Sequence, residues 1–187
     1  RSINPAVDLT NLMLFSFGQP AHVFDALKIY GKLITRQARE GEELELLDGK
    51  KIKMNVSDIV IADDSRALSL AGIKGGKPAE VDKNTTEMFF ELANFDPTTI
   101  RKTSMRHGIR TDASKIFENG ITTLKTEDAF KILLASVSEI DPAAKIEFVV
   151  CEVFNKIEPV WVELELADIE NYAGKKLDKN EVVNILK

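Results

Sequence analysis

The segment "EMFFELANFDPTTIRKTSMRHG", residues 87–108, decides how this chain is interpreted because it changes from strand to helix within a few residues. Its first nine residues, 87–95, are rich in apolar side chains and predict a β-strand that continues a sheet. Asp96 followed by Pro97 is typical of a helix start, with an N-cap aspartate and proline at the first helical position. Gly108 is expected to end that helix. The segment therefore predicts a strand joined directly to a helix.

The residues before this segment predict a helix followed by short strands. The helix is expected in "VDLTNLMLFSFG" (7–18), ending at Gly18. The stretch "KLITRQAREGEELELLDGKKIKM" (32–54) predicts strands, with a hairpin turn at Asp48 and Gly49. Two further short strands are expected in "DIVIADD" (58–64) and "ALSLAGIKGG" (67–76).

The residues after it predict a helix, two strands and a helical end. The helix is expected in 124–140, where apolar residues recur at helical spacing. The stretches "IEFVVCEVF" (146–154) and "VWVELEL" (160–166) alternate like strands. Residues 168–187 predict two short helices, the second capped by Asp178 with Glu181 three residues on.

This pattern predicts an α+β fold with a mixed β-sheet core and flanking helices, a layered α/β sandwich, followed by the start of a small helical domain. We expect the domain boundary near Glu158 and Pro159, dividing residues 1–158 from residues 159–187.

The composition is that of an ordinary globular protein. Hydrophobic residues make up 44% of the 187 positions, enough to fill a core. The chain has no apolar run of the roughly 18 to 20 residues that span a bilayer, and its N-terminus does not resemble a signal peptide. We expect a cytoplasmic protein with no membrane partner. The start without Met and the helix-like end predict a piece of a larger protein.

Metal chemistry is not expected. The chain has two histidines and one cysteine, none at metal-ligand spacing. Cys151 cannot form an internal disulfide, and its place in an alternating apolar stretch predicts a small core residue.

A basic run interrupts an otherwise acidic chain. The net charge is −5, but "IRKTSMRHGIR" (100–110) contains four cations and no acid. Those cations are Arg101, Lys102, Arg106 and Arg110. Such a run is typical either of a face that meets a phosphate backbone or of a solvated helix face, and the residues alone leave both open.

Glu91 lies in an unusual place for a carboxylate. Alternation in the strand puts it on one side with Phe89 and Ala93, while Phe90 and Leu92 lie on the other. Both sides are therefore apolar nearby. A carboxylate among such neighbours must be paired, hydrogen-bonded or poised to bind something, unless it lies on an edge strand and points to water.

His22 follows a Gly-Gln-Pro turn in "SFGQPAHVFD" (16–25), and Pro20 fixes the backbone that precedes it. A rigid turn suits a side chain that does chemistry, yet a lone histidine is also a common structural residue. The glycines of "GIKGG" (72–76) indicate a tight turn or a weak phosphate-loop candidate, because the Lys-Ser/Thr that follows in a true phosphate loop is missing. No conventional hydrolase, nucleotide-binding or metalloprotease motif occurs.

Four segments resemble, in the same order and at closely similar spacings, the editing domain of the beta subunit of bacterial-type phenylalanyl-tRNA synthetases. The patterns "GQPxHxFD" and "FDPxxIRxTxxRxGxRTxAS" make the resemblance specific, and it covers roughly residues 1–138. Residues 160–187 resemble the start of the small helical domain that follows in that family. The four segments are "VDLTNLMLFSFGQPAHVFD", "SLAGIKGG", "FFELANFDPTTIRKTSMRHGIRTDAS" and "FENG".

The resemblance implies post-transfer editing, in which tyrosine attached in error to tRNA(Phe) is hydrolysed. It gives Glu91 the role of hydrogen-bond acceptor for the para-hydroxyl of tyrosine. It gives His22 the role of holding the ester and the attacking water. Gly72 and Gly75 match positions where the backbone approaches the ring.

Four more positions are implied by the same resemblance. Thr111 and Ala113 match the pocket wall, where a small side chain leaves room for the tyrosyl group. Asn11 and Arg1 match polar groups near the aminoacyl moiety and the terminal adenosine.

The resemblance also implies partners and a larger reaction. These are tRNA(Phe) and the alpha subunit of the synthetase, in an assembly of two alpha and two beta subunits. ATP and Mg²⁺ serve the complete ligase, and no cofactor is expected in this chain. Two alternatives stay open at this point. One is a non-catalytic module for tRNA positioning or subunit packing, and the other is a freestanding editing protein.

Overall fold

The computed structural model describes residues 4–152 and 160–186. The chain divides into two compact units, residues 1–152 and residues 153–187. The predicted boundary at Glu158 and Pro159 lies outside the described residues and stays a prediction.

The first helix forms where the sequence predicts and ends at the predicted glycine, but it begins two residues earlier than expected. Helix α1 (Pro5–Phe17) begins after Asn4, whose side chain accepts a hydrogen bond from the Val7 amide at 2.9 Å. It ends at Gly18, which adopts the left-handed conformation at φ +66°. Its buried face packs with helix α4 (Thr126–Ile140) in a small apolar core.

Two strands that are distant in sequence form a ribbon beside α1. Strand β1 (Ala21–Asp25) pairs antiparallel with β8 (Met88–Leu92), and the two form a separate two-stranded sheet. The prediction that residues 87–95 continue the main sheet is therefore wrong, because their partner is β1. One side of the ribbon packs on the α1–α4 core and the other on the main core.

The main core is built on antiparallel strands. A four-stranded sheet has the order β2–β5–β6–β7, and a separate hairpin pairs β3 with β4 around the predicted Asp48-Gly49 turn. The strands are β2 (Ile34–Gln37), β3 (Glu43–Glu45), β4 (Lys51–Lys53), β5 (Ile59–Ala62), β6 (Ala67–Leu70) and β7 (Lys74–Gly75).

Two further helices close this unit over the glycine-rich turn. Helix α2 (Pro97–His107) has the predicted caps: Asp96 accepts from the Thr99 amide at 2.8 Å, and Gly108 is left-handed. Helix α3 (Asp112–Phe117), too short for the sequence to predict, is held by a capping box between Thr111 and Ser114.

The C-terminal unit contains helices α5 (Leu166–Ala173) and α6 (Lys179–Leu186). The predicted cap of α6 is confirmed, since Asp178 accepts from the Glu181 amide at 3.0 Å.

The strands predicted in 146–154 and 160–166 are wrong for the residues described there. Residues 146–152 and 160–165 have no regular secondary structure, Leu166 opens α5, and residues 153 and 154 lie outside the described part. Alternation shows that a segment could be a strand, but a strand also needs a hydrogen-bonding partner. The apolar side chains remain exposed instead, Trp161 by 93%. Cys151 is exposed as well, so its predicted place in the core is wrong.

The α+β fold class is confirmed by these sheets and helices. Within residues 4–152 and 160–186, no helix is both long and apolar enough to cross a bilayer.

Candidate active site

His22 and Glu91 face each other. They are direct partners in the β1–β8 register. Opposite residues of an antiparallel pair project from the same side of the sheet, with Cβ atoms roughly 4.5–5.5 Å apart. Two residues separated by 69 positions in the sequence are thereby brought to one place.

Both side chains line a small cavity of about 80 Å³. Its wall is formed by the β1–β8 ribbon, the glycine-rich turn after β6 and the short helix α3. The other lining residues are Pro20, Ala21, Ser69, Leu70, Gly72, Ile73, Lys74, Gly75, Ala113 and Phe117.

Glu91 presents an unpaired carboxyl to this cavity. Its ribbon neighbours Phe24 and Phe89 pack into the main core, so the surroundings are apolar as the sequence predicts. In the described part of the chain, the Glu91 side chain has no ion pair or hydrogen bond. Burial raises the pKa of Glu91 from 4.5 to about 7. Although β8 belongs to a two-stranded sheet, the Glu91 side chain lines the cavity and is only partly exposed to solvent.

His22 is neutral at pH 7. Burial lowers the pKa of its imidazole from 6.5 to about 4. The ring meets Phe24 edge-on, with centroids 4.5 Å apart and planes at 82°. The imidazole also lies against Gly75, where a Cβ atom would come within 2.5 Å of His22 Cε1 and 2.8 Å of Nε2. Gly75 therefore makes the space in which this ring sits.

The glycine-rich stretch is a turn between β6 and β7, not a phosphate loop. Gly72 has φ +67°, and a Cβ there would come within 3.0 Å of Phe95, Ile100 and Phe117. The glycine thus satisfies both the backbone conformation and the tight packing of the main core beneath the cavity.

Thr111 and Ala113 fix the opposite wall. The Thr111 hydroxyl donates to the Ile73 carbonyl at 2.8 Å and accepts from the Ser114 amide at 3.1 Å. These bonds attach α3 to the glycine-rich turn, so Thr111 holds the wall in place. Ala113, in the first turn of α3, lines the cavity itself.

A larger cleft of about 460 Å³ adjoins the small cavity. The two share Pro20, Ala21, His22, Ile73 and Ala113. The cleft extends along α1 and the N-terminus of α3, and its lining includes Asn11, Thr111 and the exposed Phe15. His22 therefore lies where the cavity and the cleft meet. Arg1, predicted near the terminal adenosine, lies outside the described residues.

Two of the four basic candidates already have acidic partners. Arg106 forms an ion pair with Asp58, and Arg110 forms one with Glu118. Arg101 and Lys102 are exposed on α2, with no ion pair in the part of the chain that the structure describes. RNA contact by this run stays a prediction, which now falls mainly on Arg101 and Lys102.

The second histidine of the chain, His107, is bound to the buried carboxylate of Asp58. This carboxylate lies 2.7 Å from His107 Nε2 and accepts from the Thr103 hydroxyl at 2.9 Å and the Asn55 amide at 2.8 Å. Burial by itself raises the pKa of Asp58, but the bonds from His107, Asn55 and Thr103 outweigh it and hold the pKa below its usual value. This cluster joins α2 to the start of β5, and no sequence signal links these positions.

Ser69 lines the site, but the sequence analysis does not single it out. It lies on β6, is 4% exposed and lines the small cavity. The nearest signal is its place in the segment "SLAGIKGG" that carries the family resemblance.

The arrangement brings one histidine and one glutamate together at the cavity. Among the described residues, no group of three or more histidine, cysteine, aspartate or glutamate side chains could hold a metal ion. What the site provides is a neutral imidazole at the junction of cavity and cleft and one unpaired carboxyl in the small cavity. Such a site can read a polar group on a ring and orient a reacting bond.

The comparison with a protein family and the comparisons with individual proteins agree with each other. Residues 1–142 match the family described as the B3/4 domain. The chain is 35% identical over 186 residues to a phenylalanine–tRNA ligase beta subunit of Lactobacillus acidophilus, covering 99% of this chain and 23% of that subunit. It is 43% identical over 140 residues to the beta subunit of Corynebacterium diphtheriae, covering 75% of this chain and 17% of that subunit. It is 46% identical over 121 residues to that of Pectobacterium atrosepticum, covering 65% and 15%. The chain thus spans about a quarter or less of the length of these relatives.

Proposed function

The chain belongs to the B3/4 domain family, in the form found in phenylalanine–tRNA ligase beta subunits, and from this premise we propose that it is a post-transfer editing domain. It hydrolyses the ester that joins tyrosine, attached in error, to tRNA(Phe). An apolar synthetic pocket barely rejects a ring that only adds a hydroxyl, so a second site has to read that hydroxyl.

The observation that carries the proposal is the unpaired carboxyl of Glu91, which lines a small cavity opposite His22 and has the apolar neighbours Phe24 and Phe89 on the ribbon. A tyrosine hydroxyl can donate to the ionised carboxylate or accept from the protonated acid. A phenylalanine ring can do neither and leaves the carboxyl desolvated without a partner. A site of this kind rejects the analogue that lacks the hydroxyl by roughly 10⁴ to 10⁵.

The cavity and the cleft suggest how the substrate lies. At about 80 Å³ the small cavity is below the roughly 150 Å³ that holds benzene. The tyrosyl ring would therefore enter from the cleft past Ala113, with its hydroxyl end at Glu91. The ester then lies at the junction beside His22, and the terminal adenosine occupies the cleft near Asn11.

The reaction needs no protein nucleophile. An aminoacyl ester is already activated, so a positioned water attacks the carbonyl carbon and the bond to the ribose oxygen breaks. His22 has a pKa of about 4, so it is a weak base and serves mainly to orient the ester and the water. The terminal hydroxyls of the tRNA can assist in the proton transfer.

The alternative, a non-catalytic module for tRNA positioning, is less well supported. A positioning module has no use for an unpaired carboxyl inside a cavity, and two of the four basic candidates are bound to acids. The proposed partners of the complete ligase are tRNA(Phe) and the alpha subunit, with ATP and Mg²⁺ serving aminoacylation in the cytoplasm.

The test is single-turnover hydrolysis of preformed tyrosyl-tRNA(Phe) by the full-length beta subunit assembled with its alpha subunit. We expect free tyrosine to be released much faster than in buffer, and phenylalanyl-tRNA(Phe) to survive. Equal lifetimes of tyrosyl-tRNA(Phe) with and without the enzyme would overturn the proposal.

A further inference from the structure

Ser69 presents to the small cavity a hydroxyl that has no protein partner among the described residues. The residue is 4% exposed, and within residues 4–152 and 160–186 its side chain makes no hydrogen bond. Polar groups in the interior of a protein are normally hydrogen-bonded, to protein or to a bound molecule, so this hydroxyl is available to a molecule in the cavity. Because Ser69 lines the small cavity, its partner is to be sought among the molecules that enter that cavity.

The strand register directs the Ser69 side chain toward His22. Ser69 on β6 is paired directly with Gly75 on β7, so the Cβ directions of the two residues project from the same side of the sheet. The Cβ direction of Gly75 leads to the imidazole, within 2.8 Å of His22 Nε2. The Ser69 hydroxyl therefore lies on the same side as the ring edge that carries Nε2.

Resting on the editing function proposed above, we propose that Ser69 is a positioning residue that holds the attacking water together with His22. The water donates one hydrogen to His22 Nε2 and the other to Ser69 Oγ. Two acceptors on one side leave a lone pair of the water directed away from them, toward the ester at the junction. A bound water needs two to four polar partners, and these two groups with the ester supply them.

The chemical step balances without any other reactant. The water oxygen forms a bond to the carbonyl carbon, and the bond from that carbon to the ribose oxygen breaks. One proton of the water passes to the leaving ribose oxygen with the help of the neighbouring terminal hydroxyl of the tRNA, while His22 and Ser69 hold the water in place. The products are free tyrosine and tRNA with its terminal hydroxyl restored.

The experiment compares Ser69→Ala with the wild type in the full-length alpha–beta enzyme, using preformed tyrosyl-tRNA(Phe). We expect the maximal hydrolysis rate to fall about tenfold, the equivalent of one neutral hydrogen bond made in the transition state, while the half-saturating concentration stays unchanged. Ser69→Cys keeps a weaker donor and acceptor of similar size. Its maximal hydrolysis rate should therefore lie between those of the wild type and Ser69→Ala.

Ser104→Ala is the matched control. Ser104 is as buried as Ser69, but its hydroxyl donates to the Ile109 carbonyl. Ser104→Ala should lower the melting temperature and spare the rate per folded enzyme, whereas Ser69→Ala should spare the melting temperature and lower the rate. A structural role for Ser69 would give the Ser104 pattern and overturn the inference.

Failure of this inference can be told apart from failure of the editing function. A wild type that releases no tyrosine refutes both. A wild type that is active, with Ser69→Ala equally active, refutes only the role of Ser69.

Discussion

Replacing Glu91 by glutamine should stabilise the folded chain at pH 8 and change it little at pH 5. Burial raises the pKa of Glu91 from 4.5 to about 7, so the folded state binds more protons than the unfolded state between these values. This carboxyl therefore lowers stability as the pH rises through that window. At about 1.4 kcal/mol for each tenfold change in proton affinity, the free energy of unfolding falls by about 3 kcal/mol. This is an upper figure, because Glu91 keeps some exposed surface.

His22 contributes a slope of the opposite sign. Its folded-state pKa of about 4 lies below the ordinary 6.5, so its contribution to stability is lost as the pH falls from 6.5 through 4. In the wild type the two slopes largely cancel between pH 4.5 and 6.5. Glu91→Gln removes one of them, and the stability of that variant should rise with pH across this range.

Urea unfolding followed by far-UV circular dichroism at pH 5, 6, 7 and 8 measures both effects. Glu80→Gln is the control, because Glu80 lines the adjoining larger cleft and is exposed to solvent. Its stability should stay close to that of the wild type at every pH. If Glu91→Gln gave the same gain at pH 5 and at pH 8, the carboxyl would not be desolvated in the folded state and the reasoning would fail.

Four further changes probe the rest of the site. His22→Ala should slow deacylation of tyrosyl-tRNA(Phe) by about 10², the lower end for a positioned orienting group, without a matching loss of melting temperature. Gly75→Ala should slow it similarly, because the new Cβ displaces the imidazole, and a normal rate would show that the ring position is unimportant. Ala113→Trp should abolish deacylation in a protein with an unchanged circular dichroism spectrum, and full activity would move the pocket elsewhere. Arg101→Ala with Lys102→Ala should weaken tRNA binding and reduce its salt slope by roughly one per lost phosphate contact; an unchanged slope leaves α2 as a solvated face.

Local signals were sufficient where a segment's structure depends on its own residues. The N-caps of α2 and α6 and the turn at Asp48 and Gly49 follow from side chains that bond the backbone a few residues away, and the end of α1 follows from the left-handed conformation of Gly18. The unusual position of Glu91 was also readable, because alternation alone places apolar residues on both of its sides.

Features that depend on residues distant in the sequence could not be predicted. Periodicity did not show that β8 pairs with β1, which is what brings Glu91 opposite His22. The same limit explains the wrong strands at 146–152 and 160–165, whose alternation had no partner strand. The acids that occupy Arg106 and Arg110 also come from other elements, so a run without acids in sequence is not a free basic face.

The central claim is that Glu91 reads the tyrosine hydroxyl. The most direct measurement is the ratio of deacylation rates for tyrosyl-tRNA(Phe) and phenylalanyl-tRNA(Phe), taken with the full alpha–beta enzyme carrying wild-type Glu91 or Glu91→Ala. We predict a ratio of several orders of magnitude in the wild type and its collapse in the variant, mainly through slower release of tyrosine, with phenylalanine charging intact. A variant that keeps the wild-type ratio and releases tyrosine at the wild-type rate would contradict the account.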